Sequence, residues 1–560
     1  MQWMWPTKRY TNCSPKNLTE KITWLVSPSG GESCASWPAS CWPPTRRGSR
    51  GRAARAPTSL ILHPIYAGSH ELTLRKFGEK LVERGHRVTQ LRWRSTKTRP
   101  VNSSVQVVTL NPDNHDLRYP YMNQDGIFHP PTNMLWERPR HMWQLPTDVF
   151  GLMDAHCETI LGDEALKSRL RSANFSLALV DIIANECSLA LAFDLDLPVV
   201  GFWGFSFQGA ESRAAGVFQS PALVPNFLSE VGATMTFTER VWNTLVMLAE
   251  TAIITYHFTV TDGHIKRLLP SSPTSRELLR EMEVVLVHSH WFIDYPKLMP
   301  PHVQYIGCIQ CGPPSPLPPD LEEWVSGAGE AGAIVFSLGY TGYEATTVPP
   351  HVMEAFVNAF ARLPQRVLLR FNAARLSFIP DNIKVLEWFP QHDLLAHPNT
   401  RLFVTHCGQN GLNEAVYHGV PIVALPVFAD QGDNARRVVD HGLGLAIDKD
   451  SISESAVFET VTAVLNDTRY TETVKRFSSL WQEEGESGAD RGARWLERVH
   501  RYGRLTHLRM PGAHLSFSQY FALDVAVFLM LVAAAPWCLA YWLCCGRRRR
   551  RHGRDKMKEE

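Results

Sequence analysis

Between residue 57 and about residue 510, short runs of consecutive apolar residues alternate with segments whose apolar residues recur every three to four positions. The first pattern predicts strands buried on both faces, the second helices packed along one stripe. Leu60 to Ile65 predicts a first strand, and Gly68-Ser69-His70 a turn after it. Glu71 to Gly85 predicts a helix with Leu74, Phe77, Leu81 and Val82 on one face. Phe175 to Val180 predicts a buried strand ending in Asp181. Further on, Leu402 to Thr405 reads as a strand, and Gly408 and Gly411 open a helix, Leu412 to His418, that Gly419 terminates. Val420 to Phe428 holds the next strand. Strands alternating with helices imply parallel α/β sheets. The proline-rich joint Pro313-Pro314-Ser315-Pro316-Leu317-Pro318-Pro319 suits an interdomain connection. The series then divides into a first α/β domain at 57–305 and a second at 306–510.

Two regions break this pattern. Residues 1–56 are rich in Trp, Pro, Ser and Arg and read as an atypical, disordered leader. Their best apolar run, Ile22 to Val26, is interrupted by Thr23 and is too short for a signal-peptide core. At the other end, a juxtamembrane segment (511–524) leads into Val525 to Cys545, which carries no charged side chain. A transmembrane helix needs about 20 such residues. Arg547 to Arg551 follow at once, so the tail, 546–560, is expected in the cytosol and the body on the opposite side. Lys556 and Lys558 resemble a dilysine retrieval signal of the endoplasmic reticulum. The expected location is therefore the endoplasmic reticulum membrane, single-pass, with lumenal domains. The sequons at Asn102, Asn174 and Asn466 would be usable in the lumen.

Composition narrows the field further. With 560 residues, 44% of them hydrophobic, the chain has length for two or three domains. A net charge of +2 gives no argument for nucleic acid. The 11 cysteines show no disulfide-framework spacing, and the one CxxC, Cys308–Cys311, lacks a second pair for zinc.

The segment Trp388 to Gln431 carries the chemistry. A strand, a glycine turn and a helix place backbone N–H groups and the positive end of the helix dipole outward, as a diphosphate site requires. His406, at the strand end, can donate to the same group. Glu414 offers two acceptor oxygens to a ribose diol, and Trp388 a flat face to a uracil ring. His70 stands where the first strand ends, the place at which such sheets bind ligands. A carboxylate at a second strand end, Asp181, can hold its Nδ1–H and make it a base.

Trp388-Phe389-Pro390-Gln391, Thr405-His406-Cys407-Gly408-Gln409-Asn410-Gly411 and Asp430-Gln431 closely resemble the signature of the UDP-glycosyltransferases, which include the UDP-glucuronosyltransferases. Further resemblance lies in Ser220 to Pro225, Met235 to Val241, Tyr305-Ile306-Gly307, Leu317 to Glu323 and Val335 to Gly339. It implies the GT-B fold, two Rossmann-like domains facing across a cleft, with a C-terminal transmembrane helix. The first domain would bind the acceptor and the second the UDP-sugar. By this likeness Trp388 would stack on uracil and Gln391 sit against the nucleoside. His406, Gly408, Asn410 and Gly411 would hold the diphosphate, with Ser337, Gly339 and Arg370 near the nucleotide. Glu414 would bind the ribose, Asp430 and Gln431 the sugar, and His70 with Asp181 would form the catalytic pair. Two departures stand out. Cys407 replaces a glycine common in animal members, and Tyr340 a small serine.

The implied reaction is an inverting transfer of a hexosyl or glucuronosyl group from a UDP-sugar to a hydroxyl of a small lipophilic alcohol or phenol. It uses UDP-glucuronate or UDP-glucose as donor and needs no metal or other cofactor. The alternative is a catalytically impaired relative that binds lipophilic ligands or partner subunits. Expected partners are the donor, the acceptor, the lipid bilayer and, in a homo- or hetero-oligomer, another subunit. Two decoys are set aside. Gly327 to Gly332 matches GxGxxG but follows a helical segment and precedes a strand, the reverse of the dinucleotide fingerprint. Asp194-Leu195-Asp196 reads as a loop with solvated carboxylates, not a metal-binding DxD.

Overall fold

A computed structural model of the chain describes residues 56–63, 68–93, 104–110, 136, 156–339 and 348–559. The leader 1–56 except Ala56, Asn102 and Tyr340 lie outside the described residues. The unit Ser49–Glu560 carries the fold.

Among the described residues, a seven-stranded parallel sheet comprises β1 (Thr58–Leu62), β2 (Arg87–Trp93), β3 (Gln106–Leu110), β4 (Leu177–Asp181), β5 (Val199–Trp203), β6 (Val284–Val287) and β7 (Val303–Tyr305). Their spatial order is β3-β2-β1-β4-β5-β6-β7. A second, six-stranded parallel sheet comprises β8 (Ala333–Ser337), β9 (Arg366–Arg370), β10 (Ile383–Leu386), β11 (Thr400–Thr405), β12 (Ile422–Ala424) and β13 (Gly444–Ala446), in the order β10-β9-β8-β11-β12-β13. Both are doubly wound sheets whose strand order reverses once, between β1 and β4 and between β8 and β11. Ligand crevices open at the carboxyl ends of strands at such switch points. The registers bring those ends level: Leu62 pairs with Val180, and Ser337 with Thr405.

The unbroken apolar runs are explained by burial on both faces. Every residue of β1 and β4 is buried. Leu60 and Leu62 enter one core with Val180; Ile61 enters the opposite one with Leu74, Phe77 and Leu179. That second core is closed by Ala493, Leu496 and Val499 of helix Gly488–Tyr502, which follows the second sheet in sequence but packs on the first. Gly492 permits the approach, since a Cβ there would lie 2.6 Å from Phe77.

The glycine run Gly327–Gly332 does lie between a helix, Pro319–Ser326, and β8. Asp194, by contrast, is not in a loop: it ends helix Glu186–Asp194 and pairs with Arg171 at 2.6 Å. The cysteines also correct the sequence expectation. Cys157 is bonded to Cys187, and Cys308 to Cys311. Cys157 and Cys187 are 30 positions apart, and only the packing beside β4 unites them.

Among the described residues, two helices are long and apolar enough to cross a membrane. Helix Phe237–Leu268 starts at a Thr236/Glu239 capping box, and Asn243, His257, Phe258, Thr261 and Ile265 are buried against the first domain. Helix Leu523–Glu559 contains the predicted span, and Val525 to Leu543 are exposed along it.

Candidate active site

The structure starts the first helix earlier than the sequence suggests. It runs Gly68–Glu83, so His70 lies in its first turn instead of in a preceding turn. His70 Nδ1 is 2.5 Å from Asp181 Oδ2, at the end of β4. Asp181 is fully buried, and its Oδ1 accepts the N–H of Ile183 at 3.4 Å. The imidazole retains 14% side-chain exposure. Gly204 makes room for it, because a Cβ there would stand 2.5 Å from His70 Cε1, and Phe205 meets the ring edge-on at 5.7 Å. Burial pulls the His70 pKa down, but the charge and hydrogen bond of Asp181 outweigh it, Asp430 adds to them, and the net direction is upward. His288, buried nearby, goes the other way, to about 3, through burial and repulsion by His70. Its Nε2 accepts the N–H of Ile309 at 3.1 Å.

At the second switch point, His406 follows β11 and sits between two glycines. A Cβ on Gly339 (φ +84°) or on Gly408 would lie 2.5 Å from its Nε2. Burial first, and then the charge of Arg370, lowers the His406 pKa to about 4 against a hydrogen bond with the backbone of Ser337, so the ring is neutral near pH 7. Ser337 is buried and accepts the N–H of Gly339 through Oγ at 3.4 Å. Helix Gln409–His418 begins at Gly408 with no side-chain cap, leaving its first N–H groups to a ligand. Cys407, just before it, holds φ +63°, the left-handed region that favours glycine. Its N–H donates to Thr405 Oγ1 at 3.3 Å.

The remaining predicted residues gather around this turn. Gly411, in the first turn of the helix, has Thr405 Oγ1 3.5 Å from where its Cβ would be. Glu414 accepts from Gln391 at 2.6 Å and from Gln310 at 3.2 Å. Burial, against those two amides, pushes its carboxyl up to about 7. Trp388 is half-exposed, with the Arg370 guanidinium 4.4 Å from its ring centroid. Asn410 is engaged across the domains: its Nδ2 donates to Thr73 Oγ1 of the His70 helix at 3.0 Å. Asp430 stands at the N-cap position of helix Gln431–Asp440 without a side-chain capping bond, and its carboxylate is held by Asn434 Nδ2 at 2.6 Å. Burial raises its pKa against that bond and the charge of His70. Gln431 spends its carbonyl oxygen on the N–H groups of Val427 and Phe428.

Sequence reasoning did not single out Gln310, Gly204 or Asn434. Asn434 was recoverable, since it stands four positions after Asp430 at helical spacing. Gln310 lies in the interdomain connection, where no periodicity marks it.

Two doubly wound parallel sheets, with a carboxylate-held imidazole at the switch point of one and a glycine turn with a neutral histidine at that of the other, have the two-domain GT-B architecture. Solved structures share the fold. A rice enzyme, Os79, in complex with U2F and trichothecene superposes with a TM-score of 0.55 at 17% identity, covering 79% of this chain and 100% of that one. The calicheamicin glycosyltransferase CalG4 gives 0.54 at 19% identity, over 80% of this chain and 100% of that one. Residues 59–556 match the UDP-glucoronosyl and UDP-glucosyl transferase family, and the chain belongs to it. Human UDP-glucuronosyltransferase 2A2 is 30% identical over 85% of this chain and 90% of its own length. Rat UDP-glucuronosyltransferase 1A8 is 31% identical over 89% of this chain and 94% of its own. The protein is thus a UDP-glycosyltransferase enzyme.

Proposed function

We propose that this enzyme transfers a hexosyl or glucuronosyl group from a UDP-sugar to a hydroxyl of a small lipophilic alcohol or phenol, with inversion. The observation that carries the reading is the His70–Asp181 pair at one switch point, electrostatically coupled to Asp430 on the donor domain. The acceptor O–H gives its proton to His70 Nε2 as its oxygen attacks the anomeric carbon. Asp181 holds Nδ1–H and stabilises the imidazolium. The anomeric C–O bond to UDP breaks, and UDP leaves with the electron pair. His406, as a neutral donor, and the uncapped N–H groups after Gly408 take up the developing charge. Displacement at one face turns an α-linked donor into a β-glycoside. Glu414 binds the ribose, Trp388 stacks on the uracil, and Asp430 and Gln431 hold sugar hydroxyls. The mechanism as written draws on no metal ion.

The body is assigned to the lumen of the endoplasmic reticulum and the basic tail to the cytosol. Two disulfides suit an oxidising compartment. The apolar face of helix Phe237–Leu268, exposing Trp242, Leu245 and Leu248, is read as lying on the bilayer beside the anchor. Phe218 of the first domain touches Phe521 at 4.9 Å, just before the apolar helix begins. A screen of UDP-glucuronate, UDP-glucose and UDP-galactose against alcohol and phenol panels tests the reaction. Turnover with at least one pair, inverted at the anomeric carbon, is expected; binding of UDP-sugar without turnover on any acceptor would favour the impaired relative.

A further inference from the structure

The buried face of helix Gln431–Asp440 carries a polar network that the reaction above does not use. Arg437 is 2% exposed. Its Nη1 donates to Asn434 Oδ1 at 2.8 Å, and its Nη2 to Gln208 Oε1 at 2.9 Å. Its Nε lies 3.4 Å from Asp294 Oδ1. Gln208 and Asp294 belong to the first domain. Asp294 is itself held by Ser206 and Tyr305 hydroxyls, each at 2.6 Å, and by Lys297 at 2.8 Å. Such a carboxylate has no freedom to follow Arg437; Arg437 must come to it.

The consequence reaches Asn434. A side-chain amide has one accepting end and one donating end. Arg437 can only donate, so the oxygen of Asn434 must face it. The NH2 group is then turned toward Asp430 Oδ2, at 2.6 Å, and the carbonyl of Cys407, at 3.0 Å. The opposite orientation would set donor against donor at Arg437 and oxygen against oxygen at Asp430. One amide therefore ties the carboxylate assigned to the donor sugar to the strained residue before the diphosphate helix. Its orientation is dictated by Arg437, which is itself held by Gln208 and Asp294 of the other domain.

We propose that Asn434 is a positioning residue for the donor sugar, kept in its working orientation by Arg437 and, across the domain interface, by Asp294. The donor's sugar subsite is complete only when the two domains are packed together. This rests on the reading that Asp430 holds the sugar.

The test compares the full-length enzyme's Ki for UDP, which lacks the sugar, with its KM for UDP-sugar. Their ratio reports the sugar half of the grip, which a general loss of packing would not single out. Asn434→Ala is expected to lower that ratio about tenfold, the low end for a hydrogen bond to a charged group. Asn434→Asp, the same size and still able to accept from Arg437, is expected to lower it at least as much. Asp294→Asn is expected to shift it in the same direction. In the Asp430→Ala background, Asn434→Ala should add little, because its partner is already gone. If Asn434→Ala and Asn434→Asp change Ki and KM by one common factor, or their effects add in full to that of Asp430→Ala, the inference is overturned. If Asp430→Ala alone leaves the ratio unchanged, it is the sugar assignment of Asp430 that fails, and the inference with it.

Discussion

Removing the imidazole of His70 gives the sharpest test of the chemistry. His70→Ala deletes the proton acceptor beside Asp181 and opens a space against Gly204 and Phe205. Two neighbours stand near enough to be asked to substitute. His288 is held at about 3 by burial and the charge of His70, so it is a poor base at neutral pH even after partial recovery. Asp430 is a carboxylate already engaged by Asn434. With no competent replacement, the loss for weakly acidic alcohol acceptors should span the general-base range, about 10²–10⁴-fold in kcat. Phenols, being more acidic, should lose less. Affinity for UDP should stay within about 0.5 kcal/mol, as for a site away from the change. Asp181→Asn should give a milder loss and a diagnostic pH shift. The base works only when neutral, and His70 is raised above its ordinary 6.5, so the rising limb of kcat should lie above pH 6.5. With the Asp181 charge gone, burial dominates and the limb should move to lower pH. The stability linkage has the opposite sense. The charged His70–Asp181 pair contributes fully below pH 6.5, and its contribution is lost as pH rises through the folded-state value. Steady-state turnover of His70→Ala on one alcohol and one phenol decides the matter. Near-wild-type rates on both would refute the His70–Asp181 dyad.

Other outcomes follow from the same geometry. Glu414→Ala should weaken UDP binding by about 1.5–3 kcal/mol, measured by calorimetry; unchanged affinity in a folded protein counts against the ribose assignment. His406→Ala should lower kcat by a larger factor than it weakens UDP binding, because the leaving-group charge grows in the transition state; equal factors would mean a ground-state contact only. Ending the chain before Val525 should weaken membrane retention and leave the second domain folded, with residual flotation on vesicles through Trp242 and Leu245. A truncated protein that still fractionates as firmly integral would remove Val525–Cys545 as the principal anchor. In cells, glycosidase treatment should shift the full-length protein through the exposed Asn174 or Asn466; two unmodified sequons at both positions would argue against a lumenal body.

The local pattern was enough to foresee two parallel α/β sheets, because strands buried on both faces must be apolar without interruption. It was enough to place a long apolar helix over Val525–Cys545 as well, since a charge-free run of that length favours continuous helix. The glycine turn at Gly408 was legible for a related reason: helix starts and stops are written in adjacent residues, and Gly419, at φ +70°, ends the helix where the pattern said it would. The start of the first helix was misjudged, because the signals after β1 are weak and packing draws Gly68, Ser69 and His70 into it.

Proximity across the fold was a different matter. His70 and Asp181 are 111 positions apart, and their contact exists because β1 and β4 are neighbours at a switch point. The placement of Gln310 on Glu414, the link between Asn410 and Thr73, and the Cys157–Cys187 disulfide depend equally on how separate elements pack. The meeting of Arg437 with Gln208 and Asp294, residues of the other domain, depends on it too. Periodicity and motifs report what each segment is, since they arise from local backbone geometry and one-sided burial. Which buried charge meets which donor is set by the register of strands and the docking of domains, and only the tertiary structure decided that.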